Sequence, residues 1–134
     1  MSIATAETFL RESGLDVRSG VAIAPFTTLK VGGPAEIYLE PTSLEQVQAI
    51  ASCGIQYRVL GCGANLLVRD AGVQGIVLRL AKLSRRSGLY VEAGMNLSPL
   101  VKATVSEGLS GLECLAGVPA SIGGAIYMNA GGKH

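Results

Sequence analysis

The sequence predicts an α+β fold of two small lobes with mixed sheets. Segments with apolar residues at helical spacing alternate with short runs typical of strands, and no unit repeats along the chain. The chain has 134 residues, which suits one compact domain or one and a half small lobes and is enough to bury a core. It contains 18 glycines although 49% of its residues are hydrophobic. So many glycines in a foldable chain indicate positions where φ is positive or where a ligand comes close to the backbone.

The first half of the chain is predicted to alternate helices and strands. Residues 3–13 show an amphipathic helical pattern, and residues 36–40 have the composition of a strand. A second helix begins at Ser43 with the capping pattern Ser-x-x-Gln and ends at Gly54, before a strand over 57–61. Because a helix commonly connects parallel strands, we expect the strands on either side of this helix to pair.

Two further strands are predicted at 75–80 and 89–93, with the polar sequence SRRSG between them. We place the boundary between the lobes in this segment, at residues 85–88. We therefore assign residues 1–84 to a first lobe and residues 85–134 to the start of a second. The glycine-rich loops of the two lobes are expected to face one another across the join.

The second lobe is predicted to contain two helices. One has Ser98 as its N-cap and Pro99 as its first helical residue, and it ends at Gly108. The glycine-rich last segment allows a short helix over 121–128.

Charge and cysteine content exclude several classes of protein. The net charge is only +1, which gives no electrostatic footprint for nucleic acid. Three cysteines without a C-x-x-C pair, and a single histidine at position 134, provide neither a zinc site nor a disulfide framework. An odd cysteine count without a secretory segment favours the cytoplasm. The uncharged stretch 114–132 is too rich in glycine and polar residues to cross a membrane.

The loop GCGANLL, residues 61–67, directly follows a predicted strand. Unblocked backbone N–H groups in such a loop can bind phosphate, although the sequence matches neither G-x-x-x-x-G-K-[ST] nor G-x-G-x-x-G. A plain turn remains the alternative, and Cys62 is read as a small buried spacer because no histidine is placed to activate it. Two other glycine clusters, 27–35 and 115–131, would fit a large, flat, mostly apolar ligand with a phosphate part.

Three segments together make the sequence recognisable. TTLKVGGPAEIYLEPTSLEQVQAI, VLGCGANLLVRDAGVQGIVLRL and GLSGLECLAGVPASIGGAIYMNAG resemble, in order and approximate spacing, the N-terminal half of the UDP-N-acetylenolpyruvoylglucosamine reductase family. The resemblance implies an FAD-binding fold of the vanillyl-alcohol-oxidase type, in which two α+β lobes hold FAD between them. The family reduces the enolpyruvyl ether of UDP-N-acetylglucosamine with hydride that NADPH passes through the flavin.

The resemblance also implies which residues hold the cofactor. The pyrophosphate loop corresponds to Gly61, Cys62, Gly63, Ala64, Asn65 and Leu66. The segment near the ribityl chain and isoalloxazine ring corresponds to Gly117, Val118, Pro119, Ala120, Gly123, Gly124, Tyr127, Asn129 and Gly131.

The sequence departs from the family pattern at several places. Ala64 stands where a serine is common, Ala120-Ser121 replaces Gly-Thr, Gly132-Lys133 replaces Ala-Tyr, and the segment 81–94 is short. The family's catalytic serine, arginine and glutamate fall beyond the last residue. We therefore expect an incomplete second lobe, no substrate domain and no catalytic residue in this chain, which would bind FAD but would engage the UDP-sugar only with the missing part.

Two alternatives to this reading stay open. One is a non-enzymatic remnant or partner-binding lobe, in which the glycine loops are inherited scaffold. The other is a different flavoenzyme of the same superfamily. An incomplete second lobe would expose apolar surface, from which we expect self-association or partial disorder near the C-terminus.

Overall fold

The protein folds as an α+β structure, as predicted; the computed structural model describes residues 2–131. Its strands are β1 (Arg18–Ala22), β2 (Pro34–Leu39), β3 (Tyr57–Leu60), β4 (Val73–Arg79), β5 (Arg86–Ser87) and β6 (Tyr90–Val91). Its helices are α1 (Ile3–Glu12), α2 (Leu44–Ser52), α3 (Leu97–Ser106) and α4 (Ile122–Tyr127), with single 3-10 turns at Ala24–Phe26 and Glu113–Leu115.

Four strands form one mixed sheet in the order β1-β2-β4-β3. β1 is antiparallel to β2, whereas β2, β4 and β3 are parallel. The predicted direct pairing of β2 with β3 is therefore wrong, because β4 lies between them. The burial pattern explains this order: residues 75–78 of β4 are buried, as a central strand requires, whereas Tyr57 and Val59 of β3 are exposed at the sheet edge.

The core lies on both faces of this sheet. Successive residues of each strand point to opposite faces, so Ile37 and Leu39 pack with α1 and α2 while Tyr38 faces the other side. The first cluster comprises Leu10, Leu15, Val17, Ile37, Leu39, Ile50, Cys53, Ile76 and Leu78. The second comprises Ile23, Ala35, Tyr38, Leu60, Val68 and Val77.

The predicted start and end of α2 are confirmed. Ser43 Oγ accepts a hydrogen bond from the N–H of Gln46 at 3.4 Å. In a standard capping box, the Gln46 side chain would accept a hydrogen bond from the backbone N–H of the N-cap, Ser43. Here Gln46 Oε1 accepts instead from the N–H of the preceding residue, Thr42, at 2.7 Å. Gly54, at φ 72°, follows the last turn.

The predicted start of α3 is wrong by two residues. Asn96, not Ser98, is the N-cap, so Pro99 occupies the third helical position. Asn96 forms a β-bridge with Ser121, and the N–H of Leu97 donates to the carbonyl of Ala120 at 2.8 Å. This long-range pairing sets where the helix begins, and Pro99 is tolerated because the first-turn N–H groups have no intrahelical partner. The helix ends before Gly108, as predicted.

The predicted strand over 89–93 is also largely wrong. Only Tyr90–Val91 is extended, and it pairs with Arg86–Ser87 in a hairpin that contains most of the segment predicted as a polar connection. Gly88, at φ 58°, permits a two-residue turn that replaces the expected loop. A salt bridge of 2.8 Å between Arg85 and Glu92 joins the residues that flank the hairpin.

The last segment is not a continuous apolar helix. It consists of a 3-10 turn, an extended stretch and α4, whose N-cap Ser121 lies where the sequence predicts a short helix to start. In the part of the chain that the structure describes, no helix has both the length and the apolarity to cross a bilayer. Gly132, Lys133 and His134 lie outside the described residues.

Candidate functional site

A large cleft lies at the carboxyl ends of parallel strands. Leu39 of β2 is paired with Leu78 of β4, and Leu60 of β3 is paired with Arg79 of β4, so these three strands end at the same edge. Ligands of open sheets that contain parallel strands bind at this edge. The cleft has a volume of about 1030 Å³ and lies between the loop after β3 and the segment 118–130.

The two glycine-rich segments face one another across this cleft, as expected. Asn65 Nδ2 lies 3.5 Å from Met128 Sδ, and Cys62 Sγ lies 3.1 Å from Oδ1 of Asn96, at the start of α3. A side chain at Gly61 would meet the hydroxyl of Ser121 at 2.7 Å. Gly61 therefore allows the loop to approach the second segment closely.

The loop after β3 carries unpaired backbone donors. The backbone N–H groups of Cys62 through Leu66 donate no hydrogen bond to any acceptor among residues 2–131. The loop is held by the segment between β1 and β2, since the N–H of Thr28 donates a hydrogen bond to the carbonyl of Gly63 at 3.0 Å. Gly63 has φ 66°, and a Cβ there would clash with the carbonyl of Phe26. A rigid loop with consecutive free N–H groups can bind an anion.

The first turn of α4 is different, because its donors are already used. Gly123 donates to the carbonyl of Ala93 at 2.8 Å, Ile122 donates to that of Met95 at 2.8 Å, and Gly124 donates to Ser121 Oγ at 3.2 Å. A Cβ at Gly123 would lie 3.1 Å from the Cβ of Ala93. These glycines therefore pack α4 closely against the segment before α3 and shape the cleft wall without offering free N–H groups.

Most of the sequence-predicted site residues are brought together. The cleft is lined by Gly61, Cys62, Gly63, Ala64, Asn65, Leu66, Val118, Pro119, Ala120, Gly123, Gly124 and Tyr127. Gly117, Asn129 and Gly131 do not line it. Gly117 has φ 83° and open space around it, which is the geometry of a turn.

Asn129 has a structural task at the end of α4. Its φ is 48°, in the left-handed region. Its N–H donates to the carbonyl of Ile126 at 3.1 Å, and the N–H of Ala130 donates to that of Ala125 at 2.8 Å. These two bonds form a Schellman motif, which terminates a helix and favours glycine or asparagine at this position.

The third glycine cluster does not line the main cleft. The N–H of Gly33 donates to the carbonyl of Arg69 at 2.9 Å, and a Cβ at Gly33 would clash with the carbonyl of Asp70. The absence of a side chain at Gly33 thus allows this segment to pass in close contact with the backbone of residues 69–70. The expectation that one ligand explains all three clusters is supported for two of them only. Residues 25–28 and Lys30 border a smaller recess of about 280 Å³ beside Cys62.

The sequence reading missed a charged group at the strand ends. Arg79 Nη1 donates to Glu40 Oε1 at 2.7 Å, and the guanidinium lies 4.7 Å from the centre of the Phe26 ring. Glu40 also lies within ion-pair distance of Arg18, at 3.3 Å, and Lys82, at 3.5 Å. The signal available in the sequence was weak: a charged residue lies at or next to the end of two apolar runs, Glu40 as the last residue of EIYLE and Arg79 as the penultimate residue of GIVLRL.

The protonation of this group follows from its contacts. Burial alone would raise the pKa of Glu40, but the hydrogen bonds from Tyr38 and Arg79 hold it below its ordinary value. Burial and the hydrogen bond of 2.7 Å to Glu40 raise the pKa of Tyr38 to about 12. Glu40 is therefore an anion and Tyr38 a neutral donor at neutral pH.

Cys62 is exposed, so the prediction of a buried spacer is wrong, but its thiol is not arranged as a nucleophile. Partial burial raises the pKa of its thiol, and the opposing effects of Ser121 and Arg79 are smaller. A thiol with a raised pKa is a poor nucleophile at neutral pH. Within residues 2–131, no group of three or more metal-ligating side chains is present.

Comparison with known proteins assigns this fold. The family described as FAD binding domain matches residues 35–134. The chain is 44% identical over 115 residues to the UDP-N-acetylenolpyruvoylglucosamine reductase of Rubrobacter xylanophilus, covering 79% of this chain and 39% of that protein. It is 41% identical to the reductase of the same name from Synechococcus sp., covering 96% of this chain and 44% of that protein.

A solved structure agrees with these relatives. The crystal structure of UDP-N-acetylenolpyruvylglucosamine reductase (MurB) from Thermus caldophilus superposes with a TM-score of 0.81 at 40% identity, over 89% of this chain and 44% of that one. The chain thus spans less than half the length of the relatives it matches. The chain belongs to the FAD binding domain family, and it resembles the N-terminal, FAD-binding region of the UDP-N-acetylenolpyruvoylglucosamine reductases.

Proposed function

We propose that this chain holds FAD for the reduction of UDP-N-acetylglucosamine enolpyruvate to UDP-N-acetylmuramate in peptidoglycan precursor synthesis, with NADPH as the hydride donor. The observation that carries the proposal is the loop of free N–H groups at the strand ends, in a chain that resembles reductases of that name. When bound, the flavin supplies the hydride relay between NADPH and the enolpyruvyl double bond. We place the reaction in the cytoplasm, in keeping with the three free thiols, Cys53, Cys62 and Cys114.

The residues that line the cleft fit the two ends of such a cofactor. The N–H groups of residues 62–66 are the donors for pyrophosphate oxygens, because they have no acceptor within residues 2–131. Ala64 lacks the hydroxyl common in the family, yet a neutral hydrogen bond is worth only about 1 kcal/mol and the backbone donors remain. Val118, Pro119 and Tyr127 offer apolar surface on the opposite wall, where a flat ring would pack.

The remaining assignments belong to the same proposal. Residues 1–84 form the first lobe and residues 85–134 contribute to the second, with FAD held between them. Gly117, Asn129 and Gly131 belong to the predicted flavin segment, and we keep them as cofactor-binding residues of the proposal, although they do not line the cleft. The UDP-sugar is engaged only together with the part that the relatives have beyond this region.

Binding of FAD to the purified chain tests the proposal. We expect FAD to change its fluorescence and to bind saturably. Ala64 is exposed, so Ala64→Asp places a carboxylate among the loop donors with little effect on folding. Repulsion should weaken FAD binding by roughly tenfold or more. Ala64→Asn, which has a similar shape without the charge, is the matched control and should bind like the original chain.

Two results would overturn this assignment. A folded chain, shown by circular dichroism and a cooperative thermal transition, that does not bind FAD would contradict the function. Equal FAD affinity for Ala64→Asp and Ala64→Asn would show that the pyrophosphate does not bind at this loop.

A further inference from the structure

We infer that Arg79 is the cationic residue that binds the phosphate part of the ligand beside the loop 62–66, and that Glu40 positions it. This inference rests on the proposed function, since it concerns the same cleft. It goes further by naming a side chain that the glycine motifs do not contain.

The sheet places Arg79 next to the loop. Arg79 is the last residue of β4, and its partner in the parallel pairing with β3 is Leu60. Leu60 directly precedes the loop, so the two strands deliver the guanidinium and the free N–H groups to the same edge. Arg79 borders both the main cleft and the small recess beside Cys62.

The guanidinium is held in one place but keeps donors free. Nη1 is bound to Glu40 Oε1 at 2.7 Å, and the group stacks on the ring of Phe26 at 4.7 Å. Within residues 2–131, Nε is shielded from solvent and has no hydrogen-bond partner. A buried donor without an acceptor is costly, and an arginine has five donors in a rigid fork that matches phosphate oxygens. Nε is closed to the cleft, but within residues 2–131 Nη2 makes no hydrogen bond and is open to solvent, so Nη2 is the donor that an anion in the cleft would meet.

The local charge also favours an anion. Glu40 is a single carboxylate that contacts three cations, Arg79 at 2.7 Å, Arg18 at 3.3 Å and Lys82 at 3.5 Å. It can neutralise only one of them, and among the ion pairs of residues 2–131 the one other carboxylate on these three cations is Asp16, 3.4 Å from Arg18 and on the surface. The strand ends therefore carry a net positive charge beside the loop. Because the side chain of Arg79 is 29% exposed, this charge is less screened than on an open surface.

A purely structural ion pair between Arg79 and Glu40 is the competing explanation. It predicts that the loss of Arg79 changes stability without regard to the ligand. A phosphate-binding role predicts that removing Arg79 lowers the affinity for a ligand that carries phosphate and leaves the affinity for a ligand without phosphate unchanged. FAD and riboflavin share the isoalloxazine ring and the ribityl chain, but only FAD has the pyrophosphate and the adenosine attached to it.

The experiment compares the affinities of FAD and riboflavin for the 134-residue chain and its variants. In Arg79→Met, Glu40 retains Arg18 and Lys82, so the variant is expected to fold. FAD affinity should fall by roughly 10- to 100-fold, as for the loss of a charge-assisted hydrogen bond, whereas riboflavin affinity should stay the same. Arg79→Lys keeps the charge without the fork and should give an intermediate loss. Arg11→Met removes one charge from an exposed position of α1 as the matched control and should leave both affinities unchanged.

Ionic strength provides a second measurement on the same samples. FAD affinity of the original chain should fall as salt increases, and the slope should be smaller for Arg79→Met. Equal losses of FAD and riboflavin affinity, or an unchanged FAD affinity in a folded Arg79→Met chain, would overturn the inference while the proposed function stands. A folded original chain without FAD affinity would overturn both.

Discussion

At the residue scale, Gly63 connects the loop to the rest of the first sheet. It has φ 66°, which residues with a Cβ adopt at a cost, and its Cα faces the backbone of Phe26 and Thr27. Gly54 has a similar φ of 72° but open space around it. Comparing substitutions at the two glycines therefore separates the free-energy cost of the left-handed conformation, which both carry, from that of steric crowding, which only Gly63 carries.

We predict that Gly63→Ala is much more destabilising than Gly54→Ala. The left-handed conformation costs an alanine about 1–2 kcal/mol, which is the whole expected loss at position 54. At position 63 the clash with the carbonyl of Phe26 adds to it, so the free energy of unfolding should fall by roughly 3 kcal/mol or more. Urea denaturation of the two variants measures both values. Equal losses would show that the loop is not packed against residues 26–27.

The chemistry of single residues was only partly predictable from the sequence. The loop at 61–66 was identified because its glycines follow a strand. Glu40 and Arg79 are separated by 39 positions along the chain, and only the parallel register of β2 with β4 brings them together. A sequence contains the charges but not this register, so the group could not be foreseen.

At the element scale, α4 forms one wall of the cleft although it has only six residues. Isolated helices of this length are unstable, so its ends and contacts must hold it. Ser121 caps its start, with Oγ accepting from the N–H of Gly124 at 3.2 Å. Asn129 ends it in the left-handed conformation. Neither residue needs a ligand to account for its presence.

We predict that Asn129→Gly preserves α4 while Asn129→Ala loosens it. Glycine adopts the left-handed end of a helix without strain, whereas alanine costs about 1 kcal/mol there. Hydrogen exchange of the Ala130 amide, which donates into the Schellman motif, should speed up in the alanine variant only. FAD affinity should follow the same order. If the glycine variant lost FAD affinity with normal exchange, the Asn129 side chain would be a ligand contact instead of a cap.

The elements were predictable where local interactions determine them. The start of α2 follows from Ser43 and Gln46, which are three residues apart, and the structure confirms it. The start of α3 was misplaced because Asn96 is fixed by its bridge to Ser121, a residue far along the chain. The position of β4 between β2 and β3 likewise depends on burial across the whole sheet, which short patterns do not contain.

At the scale of the whole molecule, the cleft is bordered by apolar side chains that lie in solvent. Ile126, Tyr127 and Met128 are 76%, 88% and 51% exposed, and Leu67 is 74% exposed. Asn65, two residues before Leu67, contacts Met128, so the loop segment and the end of α4 lie side by side, and we call these four side chains the apolar rim. A patch of this kind on a small protein marks a surface that is covered in its functional state.

We predict that this rim makes the chain self-associate at high concentration. Ile126 is the residue to change, because it does not line the cleft and its side chain is mostly in solvent. Ile126→Ser should weaken self-association by roughly tenfold, since burying a large aliphatic side chain contributes about 1.5–3 kcal/mol. Leu44→Ser changes an exposed leucine in the first turn of α2, away from the rim, and is the matched control. Sedimentation velocity over a wide range of protein concentration measures the effect. A chain that stays monomeric throughout, or equal weakening by both substitutions, would show that the rim does not drive association.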